Sequence, residues 1–241
     1  MKDNKDRDEV LSEVKQDVSA LEYADKSLLK DREFVLAAVR ITDYALEYAD
    51  KSLLKDREFV MSAVEQEFCA SPLEYADKSL LKDREFVMSA VKQNGSALEY
   101  ADESLKKDRE IVMAAIKQDS YALEHADESL RKDREFVMAT VKENWQALGY
   151  ADDFLLKDRE IVMAAIKQDG RALGYADVSL RKDKEIVLAA VKRNGLALQF
   201  ADESLKDKEI VMAAIKQDSD ALEYVSEELQ NDPEIKKLAK G

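Results

Sequence analysis

Nucleophilic catalysis needs a nucleophile and a base within hydrogen-bond reach of each other, and this chain offers few candidates. Its one histidine is His125 and its one cysteine is Cys69. His125 stands in a slot that holds tyrosine in most other copies of a repeated phrase, so it reads as an aromatic substitute rather than a catalytic base. Cys69 falls in an irregular insertion, Phe68-Cys69-Ala70-Ser71-Pro72, and reads as a loop thiol. Paired carboxylates abound, and in principle two could share a proton or hold a metal. The same Asp and Glu recur in every copy of the phrase, however, so helix capping and solvation account for them. Asn4, Asp6 and Asp8 have the opening spacing of a calcium loop, yet Glu9 stands where glycine is required and Lys15 where the bidentate glutamate belongs. Asn94-Gly95-Ser96 matches a glycosylation acceptor, but Asn94 is better read as the end of a helix. No glycine-rich phosphate loop is present. The sequence therefore predicts no catalytic, metal or cofactor site.

The elements that carry these residues are set by self-similarity. An Asp opens the same phrase at Asp6, Asp31, Asp56, Asp83, Asp108, Asp133, Asp158, Asp183, Asp207 and Asp232, in steps of 24 to 27 residues. That makes nine full units and a truncated tenth. Segments 108–119 and 158–169 are identical, which points to duplication. In the first half of a unit, Asp108 can cap the free amides of the next turn, and Glu110 sits near the positive end of the helix dipole. The stretch from Ile111 to Ile116 is wholly apolar. A helix of that kind must be covered on several sides, so it is placed in the middle of the structure, against its own partner and the same helix of both neighbours. Asn94-Gly95, Asp169-Gly170 and Asn194-Gly195 predict glycine in a left-handed conformation closing the helix. The second half is amphipathic, with Ala97, Leu98, Ala101 and Leu105 at helical spacing and Glu99, Asp102 and Glu103 facing elsewhere. It predicts a short outer helix that Asp102 breaks before a final turn brings Leu105 inward.

One unit has too few large apolar residues to offset the entropy of ordering itself, so stability must come from stacking on neighbours. The fold expected is an all-α solenoid, a superhelical array of two-helix units of about 25 residues. Residues 1–30 read as an N-terminal capping unit, with Glu9 where the next unit has Phe34. Residues 31–231 are the tandem repeats, and 232–241 are a capping tail opening on Asp232-Pro233, with proline at its favoured first helical position.

Composition bounds the partners. The 241 residues are 46% hydrophobic and 37% charged, with only 6 Gly and 2 Pro, which suits helices with short connections and excludes an all-β sandwich or barrel. A net charge of −14 argues against nucleic acid and anionic lipid, both of which need clustered Lys and Arg. No run approaches a membrane span, no signal-peptide core follows the N-terminal residues, and a single cysteine suits a reducing compartment. These features predict a cytoplasmic protein, monomeric or weakly oligomeric.

The unit, quoted in Leu81-Lys82-Asp83-Arg84-Glu85-Phe86-Val87 and Ala97-Leu98-Glu99-Tyr100-Ala101, resembles the tandem helical repeats grouped as domain of unknown function 4116. The resemblance covers essentially the whole chain, implies a helical array, and carries over no activity and no site. Function must then be sought in what varies between units. The joint between the two helices carries Tyr44, Tyr121, Trp145, Arg171, Leu196 and Asp220, and the outer turn carries Phe154 and Val178. Stacking would align the joint residues into a ridge, and exposed aromatic residues are typical interface anchors. The expected function is a non-catalytic scaffold for a protein or peptide, with basic partners favoured by the acidic flanks. The alternatives are that each ring folds over its neighbour's loop, and that the array is a structural spacer with no ligand.

Overall fold

The computed structural model describes residues 6–67 and 71–240. Cys69 and most of the insertion around it lie outside the described residues, as does Asn4. The chain is an all-α array of tandem repeats, with no strand among the described residues. It divides into two compact units, Met1–Ala126 and Asp127–Gly241.

Each repeat has three parts. The first is an α-helix such as Arg109–Gln118, opened by Asp108, whose carboxylate accepts hydrogen bonds from the amides of Glu110 and Ile111. The second is a six-residue 3-10 helix, Gly95–Tyr100 in one copy, and the third a single closing turn such as Leu105–Lys107. The second half of the repeat is thus not a continuous outer helix. Ala101 is extended, and the amide of Ser104 then donates to the carboxylate of Asp102, starting the closing turn. As expected, Ala97, Leu98, Ala101 and Leu105 are buried, and Glu99 and Glu103 are exposed. A 3-10 helix suits so short a segment, because its tighter winding closes hydrogen bonds within six residues.

In the first unit the α-helices Arg7–Val14, Arg32–Val39, Arg57–Glu67, Arg84–Gln93 and Arg109–Gln118 pack in succession, and the 3-10 helices stack beside them as a second layer. In the second unit the same two layers run from Arg134–Glu143 to Pro233–Ala239 and from Trp145–Tyr150 to Ser219–Tyr224. The core lies between the layers. Lys184–Arg193, for example, touches the α-helices on both sides, its own 3-10 helix Gly195–Phe200 and the preceding one, Gly170–Tyr175. Within Ile111 to Ile116 the buried set is Ile111, Val112, Ala115 and Ile116, whereas Met113 and Ala114 are half-exposed. The apolar run is therefore covered on one broad face, and its opposite side reaches solvent. Glu9 is exposed where Phe34 is fully buried, and Asp232 caps the helix that Pro233 begins.

The glycines do not close helices in a left-handed conformation. Asn94 is extended, with φ −144°, and both ends one helix and caps the next by accepting from the amide of Ser96. Gly95 is needed for closeness instead: a β-carbon there would lie 2.4 Å from the carbonyl oxygen of Ala115 on the next repeat's helix. Gly170 and Gly195 sit in the same way against Ala190 and Ala214.

Two kinds of rung tie successive repeats together. A main-chain amide donates to the preceding repeat, Asp102 to Leu81 and Asp152 to Arg131 among others, at 2.9 and 3.1 Å. Within each unit, the cation after a capping Asp reaches the next repeat's cap. Arg84 pairs with Asp108 at 2.7 Å and with Glu110, and Arg134 pairs with Asp158 at 2.6 Å and with Glu160. Lys208 closes the second series on Asp232 and Glu234, both at 2.9 Å. In the first unit the arginine also lies over the next repeat's phenylalanine, Arg7 over Phe34, Arg32 over Phe59 and Arg57 over Phe86, the last at 5.8 Å.

Candidate interaction surface

In the 3-10 helices the outward residues come chiefly from the second and fifth positions, because Ala and Leu at the third and fourth turn into the core, as Ala45 and Leu46 do. The variable joint residues therefore project from this layer. In the first unit Tyr44 is 61% exposed and Tyr121 40%. Tyr121 meets the ring of His125 edge-on, with centroids 5.0 Å apart and an interplanar angle of 83°. His125 is half-buried in the slot that tyrosine fills elsewhere, in keeping with its reading as an aromatic substitute.

In the second unit the joint residues do not form a uniform ridge. Trp145 fills the slot of Gly170 and Gly195, one position before that of Arg171 and Leu196. It is half-buried, tilted at 40° against Tyr175 with 6.0 Å between centroids, and the Arg171 guanidinium lies 5.5 Å from its ring centre. Asp169 holds that guanidinium at 2.6 Å, and in return the Asp169 carboxyl is held below the usual carboxylate range. Leu196 is also half-buried. Phe154, on the outer turn, is 52% exposed and Val178 49%. The exposed anchors are thus Tyr44 and Tyr121 in one unit and Phe154, with the charged Arg171, in the other.

A feature not singled out from the sequence lies beside Tyr44 and Tyr121. Glu22, Glu47, Glu74, Glu99 and Glu124 occupy one slot, the residue before the recurrent aromatic, and all five are exposed on the stacked 3-10 helices of the first unit. Most other repeated carboxylates have work to do. Asp56, Asp83 and Asp108 cap helices and pair with arginine, and Asp50, Asp77 and Asp102 cap closing turns. Among the described residues, the five glutamates have no ion-pair partner within 4.0 Å. Their field reaches the neighbouring phenols. Partial burial, with Glu47, Glu22 and Asp17 nearby, pushes the Tyr48 phenol above its ordinary range. Burial, Glu74, Asp43 and Glu47 do the same to Tyr75. The signal was available in the sequence as a column in the repeat alignment; what hid it was that capping and idle carboxylates look alike until their partners are known.

In the second unit the column becomes Gly149, Gly174, Gln199 and Glu223. There the next repeat's ring folds down over the bare backbone: a β-carbon on Gly149 would lie 2.7 Å from Tyr175, and one on Gly174 2.9 Å from Phe200. The acidic strip and the ring-covered strip are alternative uses of the same slot.

No group of three or more potential metal-ligating side chains gathers among the described residues, and no helix among them is long and apolar enough to cross a membrane.

The family model described as a domain of unknown function (DUF4116) matches residues 6–54, 31–81, 56–106, 83–131, 108–156, 133–181, 158–206, 183–230 and 207–239. No curated protein and no solved structure matches the chain. The first eight matched stretches each span about two consecutive repeats, and the last spans one repeat and the capping tail. Covered in this way from residue 6 to residue 239, the chain belongs to the DUF4116 family.

Proposed function

We propose that this chain is a non-catalytic helical-repeat scaffold, and that the 3-10 face of its first unit binds a basic protein or peptide segment. The observation that carries the reading is the strip Glu22, Glu47, Glu74, Glu99 and Glu124, unpaired and flanked by exposed Tyr23 and Tyr44 at one end and Tyr121 at the other. A carboxylate beside an aromatic face suits a lysine or arginine, which gains an ion pair and a cation–π contact at once. The spacing also suits an extended segment. Packed repeats lie about 8–10 Å apart, and three residues of extended chain span about 10 Å, so a cation at every third position meets successive glutamates. Catalysis is left out because the repeated Asp carboxylates are engaged in caps and rungs, the free glutamates lie exposed on an open face, and the one histidine packs on a tyrosine ring.

The test is fluorescence anisotropy with a labelled peptide carrying lysine at every third position, against the intact protein. Replacing the five glutamates together by glutamine is expected to weaken binding at least tenfold, and Tyr44→Ser with Tyr121→Ser several-fold, with unchanged far-ultraviolet circular dichroism. Unchanged affinity in the glutamine variant ends the reading. A structural spacer is the second reading, favoured by the rungs of Arg84 to Asp108 and Asp102 to Leu81 that stiffen each junction; on that reading the peptide does not bind at all.

A further inference from the structure

The α-helical layer presents a second surface that the proposal above does not use. Six of the seven methionines, Met61, Met88, Met113, Met138, Met163 and Met212, occupy one slot, the fifth residue of the repeat's α-helix, and Leu11, Leu36 and Leu188 fill it in three further copies. In the second unit Met138, Met163, Leu188 and Met212 are all half-buried, on four α-helices packed in succession. The residue after each is alanine, small enough to leave a hollow. Between the last two helices that hollow measures about 450 Å³ and is lined by Leu188, Lys192, Glu209, Met212, Ala213 and Lys216.

One lip of this groove is charged and unsatisfied. Four residues after each floor residue, on the same helix face, stand Lys142, Lys167, Lys192 and Lys216, all exposed, with no carboxylate within 4.0 Å among the described residues. The opposite lip carries glutamates at the helix starts, and four of them are already neutralised. Glu160 pairs with Arg134, Glu185 with Arg159, Glu209 with Lys184 and Glu234 with Lys208. In a chain of net charge −14, the free charge of this groove is therefore positive. The first unit lacks an unbroken row, because Glu65 interrupts it and accepts from Gln93.

We propose that this methionine-floored, lysine-lipped groove of residues 127–241 binds an acidic amphipathic α-helix of a partner protein. Methionine is a pliable, polarisable floor that fits varied apolar side chains. Helices packed about 8–10 Å apart repeat at nearly the rise of seven helical residues, about 10.5 Å. Apolar side chains at i and i+7 of the partner thus fall between successive floor residues, and carboxylates along one flank meet the lysines.

The experiment uses the intact protein and a labelled synthetic helix of about three heptads, with leucine at the core positions and glutamate on the flanks. The companion probe has lysine in place of every glutamate. The acidic helix is expected to bind, with affinity falling as salt rises. Lys142→Gln, Lys167→Gln, Lys192→Gln and Lys216→Gln together are expected to weaken it at least tenfold, with Lys→Arg at the same four positions retaining it. Met138→Ser, Met163→Ser and Met212→Ser together are expected to cost at least fivefold with helicity unchanged. Variants of Glu22, Glu47, Glu74, Glu99 and Glu124 are expected to leave this binding intact, which separates its failure from failure of the basic-peptide site. The inference is overturned if the lysine probe binds as tightly, if the glutamine variant binds unchanged, or if phosphatidylserine vesicles compete at equal affinity through the same four lysines.

Discussion

Gly170 lies against the main-chain carbonyl of Ala190, so closely that a β-carbon on it would stand 2.2 Å from that oxygen. The obstruction is backbone, which cannot swing aside as a side-chain end can. Gly170→Ala must therefore shift one repeat relative to the next, and such overpacking costs about 1–3 kcal/mol. The expected outcome is a lower midpoint in urea unfolding. Gly149→Ala, where the obstacle is the rotatable ring of Tyr175, is expected to cost clearly less.

Asp108 has two duties and Arg84 one. The carboxylate caps the helix Arg109–Gln118 and accepts from Arg84, which holds it below the usual carboxylate range. Removing it by Asp108→Ala forfeits the cap, worth about 0.5–2 kcal/mol, along with the pair. Arg84→Ala leaves the cap intact and loses only its solvent-screened ion pairs with Asp108 and Glu110. Denaturation curves of the two variants should rank Asp108→Ala as the more damaging, with the effect of Arg84→Ala shrinking at high salt.

Acid should unfold the array through its caps. The hydroxyl and amide of Ser52, Ser79, Ser104 and Ser204 hold Asp50, Asp77, Asp102 and Asp202 below their ordinary values. A carboxyl whose pKa is lower in the folded than in the unfolded chain adds stability fully present above the unfolded value of about 3.9, and lost as pH falls through the folded value. Helicity followed by circular dichroism is expected to hold flat from neutral pH to about 4 and to fall below it.

The two sides of one helix should answer differently to truncation. Ile111 is fully buried and Met113 half-exposed. Ile111→Ala is expected to cost about 2–5 kcal/mol through lost burial and the cavity left behind. Met113→Ala should cost only about 1 kcal/mol. Equal losses in equilibrium unfolding would mean that the methionine side is covered in solution.

What the sequence determined by itself was everything encoded within a few residues of chain. The opening Asp of each repeat announces a helix because its carboxylate reaches amides two and three positions on, as Asp108 reaches Glu110 and Ile111. The spacing of Ala97, Leu98, Ala101 and Leu105 likewise named the inward side of the second half, and Asp102 its break. Recurrence at about 25 residues was enough to require stacking, since no single repeat can cover its own apolar side.

Only the tertiary structure decided which residues meet across that stack. Arg84 reads as a helix-start residue until the next repeat places Asp108 and Glu110, 24 and 26 residues away, within its reach. Gly95 reads as a helix terminator, yet its real constraint is the carbonyl of Ala115 on the following helix. Trp145 and Tyr121 look alike as joint aromatics, but one lies beneath Arg171 against Tyr175 and the other projects from the surface. The same holds for charge. Glu110 is neutralised by Arg84, and Glu99 is left free. The physical reason is that capping and periodicity act along the chain, whereas ion pairing and close packing depend on the rise and rotation from one repeat to the next.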